Sequence, residues 1–162
     1  MENFVAYNPV KLHFGKGVVK DLGEAALEFG SKALLVYGKG SVLRNGSYHD
    51  TLEQLKSKKI AITEYSGIKP NPLAEDVDKA SQMGKSDNVN MVIAVGGGSV
   101  IDSAKIIAVC IATGKSAWEV MKGDAEPVRA LPVIGVLTLA ATGTEMNPVA
   151  VLQNPASREK KG

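Results

Sequence analysis

Met91-Val92-Ile93-Ala94-Val95-Gly96-Gly97-Gly98-Ser99 is the stretch that decides the fold. Its first five residues are apolar and three are β-branched, the pattern of a short strand covered on both faces. Three glycines end the strand. Ser99 to Thr113 then reads as a helix, and Gly114 stands where a C-terminal glycine belongs. A strand, a glycine loop and a helix in this order make an anion site. Without Cβ atoms, backbone N–H groups can approach a ligand closely. The unpaired amides and positive dipole end of the helix favour negative charge by ~0.3–1 kcal/mol. Ser99 with Asp102 three residues on forms a Ser-x-x-Asp capping pattern. Val100, Ile101, Ala104, Ile106, Ile107, Ala108, Val109, Ile111 and Ala112 leave the helix almost no polar face, so it is read as buried. The loop is neither Gly-x-Gly-x-x-Gly nor a Walker loop, which lacks its lysine here, and this argues against ATP hydrolysis. Taken alone, such a loop is equally well read as a plain structural turn.

The flanking sequence raises the weight of the first reading. Upstream, Ala33 to Tyr37 is another buried-strand run, followed directly by Gly38-Lys39-Gly40-Ser41. A polar amphipathic helix runs from about Ser47 to Ser57, and Ile60 to Tyr65 is a further strand. Pro70-Asn71-Pro72 punctuates, with Asn71 suited to an N-cap and Pro72 to a first helical turn. The helix that follows continues through Val77, Ala80 and Met83. Downstream, Ser116–Met121 reads as a turn of helix, Val133 to Leu137 as a strand, and Thr138 to Glu145 as its loop.

This alternation predicts an α/β domain over 1–162, a Rossmann-like parallel sheet flanked by helices. Val10, Leu12 and Phe14 alternate with Lys11 and His13, which predicts an N-terminal edge strand or hairpin before a turn at Gly15-Lys16-Gly17. Val18 to Phe29 follows at helical spacing, stopped by Gly30. The tail after Gln153 is polar and reads as broken off in mid-element. Three loops after buried strands converge on one crevice if their strands are neighbours. Their hydroxyls, Ser41, Thr138 and Thr142, suit ribose or phosphate oxygens.

Composition narrows the function classes. Apolar residues make up 44% of the 162 and charged residues 22%, enough for one core. The 19 basic and 17 acidic residues are scattered, and aromatics do not interleave with the basic ones, so nucleic acid is not an expected partner. No apolar run reaches the ~18 residues of a membrane span, and the start shows no basic-then-apolar leader. Cys110 is the single cysteine, which excludes an internal disulfide and suits the cytoplasm.

At this level of detail the sequence resembles the N-terminal half of iron-dependent (group III) alcohol dehydrogenases, in their butanol dehydrogenase branch. The residues that carry the likeness are Phe14-Gly15-Lys16-Gly17, Tyr37 to Ser41, Pro70-Asn71-Pro72, Gly96 to Lys105, and Thr138 to Asn147. The resemblance implies a two-domain, dimeric enzyme that reduces aldehydes or oxidises small primary alcohols with a nicotinamide dinucleotide. It implies that Gly97, Gly98 and Ser99, with Gly96 and Asp102 beside them, serve the diphosphate. Gly38, Gly40 and Ser41 would flank the adenosine ribose, and Thr138, Leu139 and Thr142 the ribose and nicotinamide side. Lys160 resembles the family lysine that reaches the cofactor near the domain junction.

Departures from the family pattern matter as much. NAD-preferring relatives place an acid after the first cofactor strand, where this chain has Gly38, and the absence of that charge favours NADP(H) over NAD(H). Family members are about twice this length, and their all-helical C-terminal domain supplies an aspartate and three histidines to a metal. None of these lies within residues 1–162, so Fe²⁺ or Zn²⁺ is expected only in a full-length enzyme, and this chain alone is expected to bind nucleotide without turnover. His13 and His49 read as surface histidines and Cys110 as core packing. Ala141 and Thr144 stand where a glycine and a serine are common in the family. A non-catalytic nucleotide-binding or oligomerising module is the alternative. A dehydroquinate-synthase-like or glycerol-1-phosphate-dehydrogenase-like relative shares the fold but fits Thr138–Asn147 less well.

Overall fold

Every strand of the main sheet is parallel, and its two central strands are buried on both faces apart from the two ends of the first, Lys32 and Gly38. The structure, a computed structural model, describes residues 4–5, 7–123 and 129–162. The sheet runs β2 (Ala61–Ile68), β1 (Lys32–Gly38), β3 (Met91–Gly96), β4 (Val133–Leu137) in spatial order. Ala33 to Tyr37 pairs in register with Met91 to Val95, and Val92 to Gly96 with Val133 to Leu137. All three pairings are parallel, as the uninterrupted apolar runs predict.

Period-two alternation divides the central side chains between two cores. Leu34, Val36, Val92 and Ala94 face α4 (Ala74–Ser86), α5 (Gly98–Thr113) and α6 (Ala117–Lys122). Leu35, Tyr37, Met91, Ile93 and Val95 face the other way, against α1 (Leu22–Leu27), the single turn α2 (Ser41–Arg44) and α3 (Ser47–Ser57). The helices joining β1 to β2 therefore lie on one face, and those joining β2 to β3 and β3 to β4 on the other. The chain leaves β1 in one direction and β3 in the other. That reversal opens a crevice at the carboxyl ends of β1 and β3, where ligands bind in doubly wound sheets.

Three expectations are corrected. The edge strand at Val10–Phe14 does not form: these residues belong to no strand, and Phe14 is 91% exposed. Such an alternation needs a partner strand, and none of the described strands pairs with this segment. Asn71 is not the cap of α4; it takes a left-handed conformation with φ of 55°, and the helix starts at Ala74 with Leu73 as its N-cap. Ser99 does not cap α5 either. The helix begins one residue earlier, at Gly98, with an extended Gly97 as N-cap and no side-chain cap. The polar stretch after Gln153 carries regular structure that the sequence did not announce: β5 (Leu152–Asn154) and β6 (Glu159–Lys161) pair as an antiparallel hairpin.

Where local chemistry is unambiguous the elements fall as read. Gly114 ends α5 with φ of 76°, and Ser116 opens α6 with a full capping box to Glu119. Among the described residues, no helix is long and apolar enough to cross a membrane.

Tyr65 on β2 supplies a pH test of the packing between sheet and α4. Burial pushes its phenol up to about 12, and the neighbouring Asp76 charge adds to the rise. A phenol raised in the fold contributes stability in full below its unfolded value of 10.0 and loses it as pH climbs through about 12. Urea unfolding across pH 9 to 12 should show wild-type stability falling more steeply than that of Tyr65→Phe. Parallel curves would contradict this assignment.

Candidate functional site

The glycine loop is built by a change of direction that only small residues permit. A Cβ on Gly96 would stand 2.6 Å from Val100 Cγ2, because the first turn of α5 folds back over the end of β3. Gly97 is extended, with φ of −88° and ψ of −170°, and its carbonyl accepts from the amides of Val100 and Ile101 at 3.0 and 3.3 Å. The next two amides, those of Gly98 and Ser99, have no intrahelical acceptor within reach, as at every helix start. Among the described residues they show no other acceptor. Gly97, Gly98 and Ser99 are half-buried, so these donors meet solvent at the positive end of a 16-residue helix.

Neighbouring loops close around this point. The Thr138 amide donates to the Gly96 carbonyl at 3.0 Å, continuing the β3–β4 ladder into the loop. A Cβ on Gly98 would meet Thr142 Oγ1 at 3.3 Å and Thr144 Cγ2 at 3.6 Å, and one on Gly97 would meet only Leu139 Cβ at 3.9 Å. Leu139 itself is 65% exposed, an apolar side chain at the rim. Across the crevice, a Cβ on Gly38 would touch Val100 Cγ2 at 3.8 Å, which sets the end of β1 against the start of α5. The structure thus brings Gly38, Gly96, Gly97, Gly98, Ser99, Thr138, Leu139 and Thr142 to one shelf.

The remaining candidates sit around it. Gly40 and Ser41 begin α2 on the opposite face of the sheet, where Arg44 Nη1 would lie 3.0 Å from a Cβ on Gly40. Lys160, on the hairpin, donates to Asn71 Oδ1 at 2.9 Å beside the loop that follows β2. The Gln153 amide holds the hairpin there by donating to the Pro72 carbonyl at 2.8 Å. Asp102 is occupied rather than free: it accepts from the Thr144 hydroxyl on one oxygen and from the Val151 amide, at 3.0 Å, on the other.

Sequence reasoning missed Lys105 and Arg44. Lys105 donates to Thr144 Oγ1 at 2.7 Å and to the Val149 carbonyl at 2.6 Å. Burial lowers its pKa, while the charges of Asp102 and Glu145 work in the opposite direction. A lysine on an otherwise apolar helix, one turn after an aspartate, was the available signal.

The shelf is defined by directed amides rather than by depth. Two shallow, open grooves lie elsewhere, one along β2 and α4 at Tyr65, Lys79 and Met83, the other at Lys32, Thr63 and Asn88. Neither involves the glycine loop. Among the described residues no three His, Cys, Asp or Glu side chains converge as a metal site would require. His13 faces Asp21 at 3.5 Å, His49 packs edge-on to Tyr48, and Cys110 is buried with its thiol pushed up to about 12, mainly by desolvation. The described residues do not fit a catalytic metal.

A doubly wound parallel sheet with a glycine loop at its switch point defines the Rossmann-like α/β class. Within that class the assignment is specific: the sequence model of the iron-containing alcohol dehydrogenases matches residues 9–162, and the chain belongs to that family. It is 41% identical over 154 residues to NADH-dependent butanol dehydrogenase A of Clostridium acetobutylicum, an alignment covering 95% of this chain and 40% of that protein. The NADPH-dependent aldehyde reductase YqhD of Escherichia coli is 35% identical over 164 residues, with 99% and 42% covered. The crystal structure of NADH-dependent butanol dehydrogenase A from Thermotoga maritima superposes with a TM-score of 0.94 at 42% identity, over 99% of this chain and 41% of that one. The chain therefore spans well under half the length of these relatives. The family and its butanol dehydrogenase branch are those read from the sequence.

Proposed function

We propose that this chain is the cofactor-binding part of an iron-type alcohol dehydrogenase or aldehyde reductase acting on small alcohols and aldehydes. The observation that carries the reading is the pair of unpaired amides at Gly98 and Ser99, at the N-terminus of a buried helix and at the switch point of the sheet. They grip the diphosphate. Thr138, Leu139 and Thr142 line the ribose and nicotinamide side, Gly38, Gly40 and Ser41 flank the adenosine ribose, and Lys160 approaches from the hairpin. The cofactor supplies the hydride chemistry, and the protein supplies orientation. Since the described residues include no metal ligand set, these 162 residues bind dinucleotide without turnover, even with Fe²⁺ or Zn²⁺ added. The exposed Val10–Phe14 segment suits pairing with its copy in a homodimer, and the lone buried thiol suits the cytoplasm.

The adenosine end favours NADP(H). No carboxylate follows β1 to repel a 2′-phosphate; Lys39 stands there, and the Arg44 guanidinium lies against Gly40. A preference for NAD(H) is the second reading, supported by the names of the butanol dehydrogenase relatives. Calorimetric titration with NADPH and NADH should give one-to-one binding with NADPH several-fold tighter, and Arg44→Ala should erase the difference. Tighter NADH binding would reverse the cofactor assignment. Absence of binding by either dinucleotide would overturn the function itself.

A further inference from the structure

The loop after β4 forms one wall of the glycine shelf, yet it has almost no regular structure of its own. Beyond Leu137 the chain makes only a single 3-10 turn, Thr144–Met146, before β5. Two side chains on α5 tie it down, beside a bond from the Asn8 side-chain amide to the Met146 carbonyl at 2.8 Å. Lys105 Nζ donates to Thr144 Oγ1 at 2.7 Å, to the Val149 carbonyl at 2.6 Å and, more weakly, to Asn147 Oδ1 at 3.4 Å. All three donors of the ammonium are thereby spent on one loop. The Thr144 hydroxyl in turn donates a hydrogen bond to Asp102, one turn earlier on the helix, and the Val151 amide donates to the other Asp102 oxygen at 3.0 Å. Asn147 extends the tie, its Nδ2 donating to the Gly143 carbonyl at 2.8 Å.

We propose that Lys105 is a positioning residue, whose ammonium pins residues 143–151 onto α5 and so holds the Thr138–Thr142 wall against the glycine loop. Charge gives the pin its strength. Glu145 has a buried oxygen, Oε2, with no donor, and Asp102 is half-buried. The Lys105 charge faces both carboxylates, and removing it leaves two negative groups in a poorly solvated pocket without a counter-charge. The link to the shelf is steric: Thr142 Oγ1 and Thr144 Cγ2 are the nearest atoms to the position of a Gly98 Cβ. If the wall loosens, the amides of Gly98 and Ser99 lose the surface that frames their ligand. The effect on ligand binding rests on the dinucleotide reading above; the pinning of the loop does not.

Hydrogen exchange and NADPH titration on Lys105→Met and Lys105→Arg separate the two. In Lys105→Met the Val151 amide should exchange at least tenfold faster than in wild type, with Ile93 in β3 unchanged, and the NADPH Kd should rise about tenfold. Lys105→Arg restores the charge and should recover part of both. Thr144→Val keeps every charge and removes only the hydroxyl relay. It should loosen the same amides to a smaller degree, and it serves if Lys105→Met does not fold. Unchanged exchange across residues 144–151 in these variants would overturn the pin. Faster exchange with an unchanged Kd would overturn its positioning role. If wild type binds no dinucleotide, the proposed function falls, and the exchange data still decide the pin.

Discussion

Gly97→Ala is expected to weaken dinucleotide binding at least tenfold while leaving the fold unchanged. Gly97 is extended, a conformation open to any L residue, and an added Cβ would find only Leu139 Cβ, at an ordinary 3.9 Å. No steric or backbone argument therefore requires glycine for folding here. The methyl instead enters open space beside the two unpaired amides, which a diphosphate would need to fill. A tenfold loss corresponds to about 1.4 kcal/mol. Calorimetry on the variant measures it, and thermal unfolding serves as the control. Wild-type affinity in a folded Gly97→Ala protein would mean that the ligand approaches from somewhere else. A large drop in melting temperature would mean that this glycine is structural after all.

Gly96→Ala, one residue earlier, should have the opposite profile and destabilise the domain itself. The new Cβ would stand 2.6 Å from Val100 Cγ2 and 3.0 Å from Val100 Cβ, and Val100 is buried and stiff at χ1. Overpacking of this kind costs about 1–3 kcal/mol. Val100 carries the steric clash, so Val100→Ala should relieve that part of the cost and leave the backbone strain of alanine at φ 158°. In urea denaturation the double variant should be more stable than the sum of the singles predicts, by at least about 1 kcal/mol. Strict additivity would contradict the close approach of β3 and α5.

Reading the sequence located the four parallel strands and the glycine shelf because their signals are local. A continuous apolar run such as Met91–Val95 marks a doubly covered strand. Gly96 to Gly98 mark the strand-to-helix turn, where the Val100 side chain packs directly against Gly96. Misreadings came where a residue's partner is distant in sequence. Asn71 looked like a helix cap, but its side chain is engaged by Lys160, 89 positions away. Asp102 looked like half of a capping box, but it serves Thr144 and Val151 across more than 40 positions. Val10–Phe14 has the alternation of an edge strand but pairs with none of the described strands. The strand order, with β1 and β3 flanking the crevice, is also a long-range property. No local pattern reveals that the chain reverses between them.

The adenosine end was legible only in part. The missing acid at Gly38 is visible in the sequence, whereas the placement of Arg44 against Gly40 depends on the short turn of α2.

The account stands on main-chain amides at the start of α5 gripping a diphosphate. Amide NMR spectra of the labelled wild-type chain, recorded during NADPH addition, test this directly. Gly98 and Ser99 should show the largest saturable shifts, with Thr138 and Thr142 moving less and the β2–α4 groove at Tyr65 and Met83 staying still. Saturating NADPH that leaves the Gly98 and Ser99 resonances in place, or moves the β2–α4 groove instead, would contradict it.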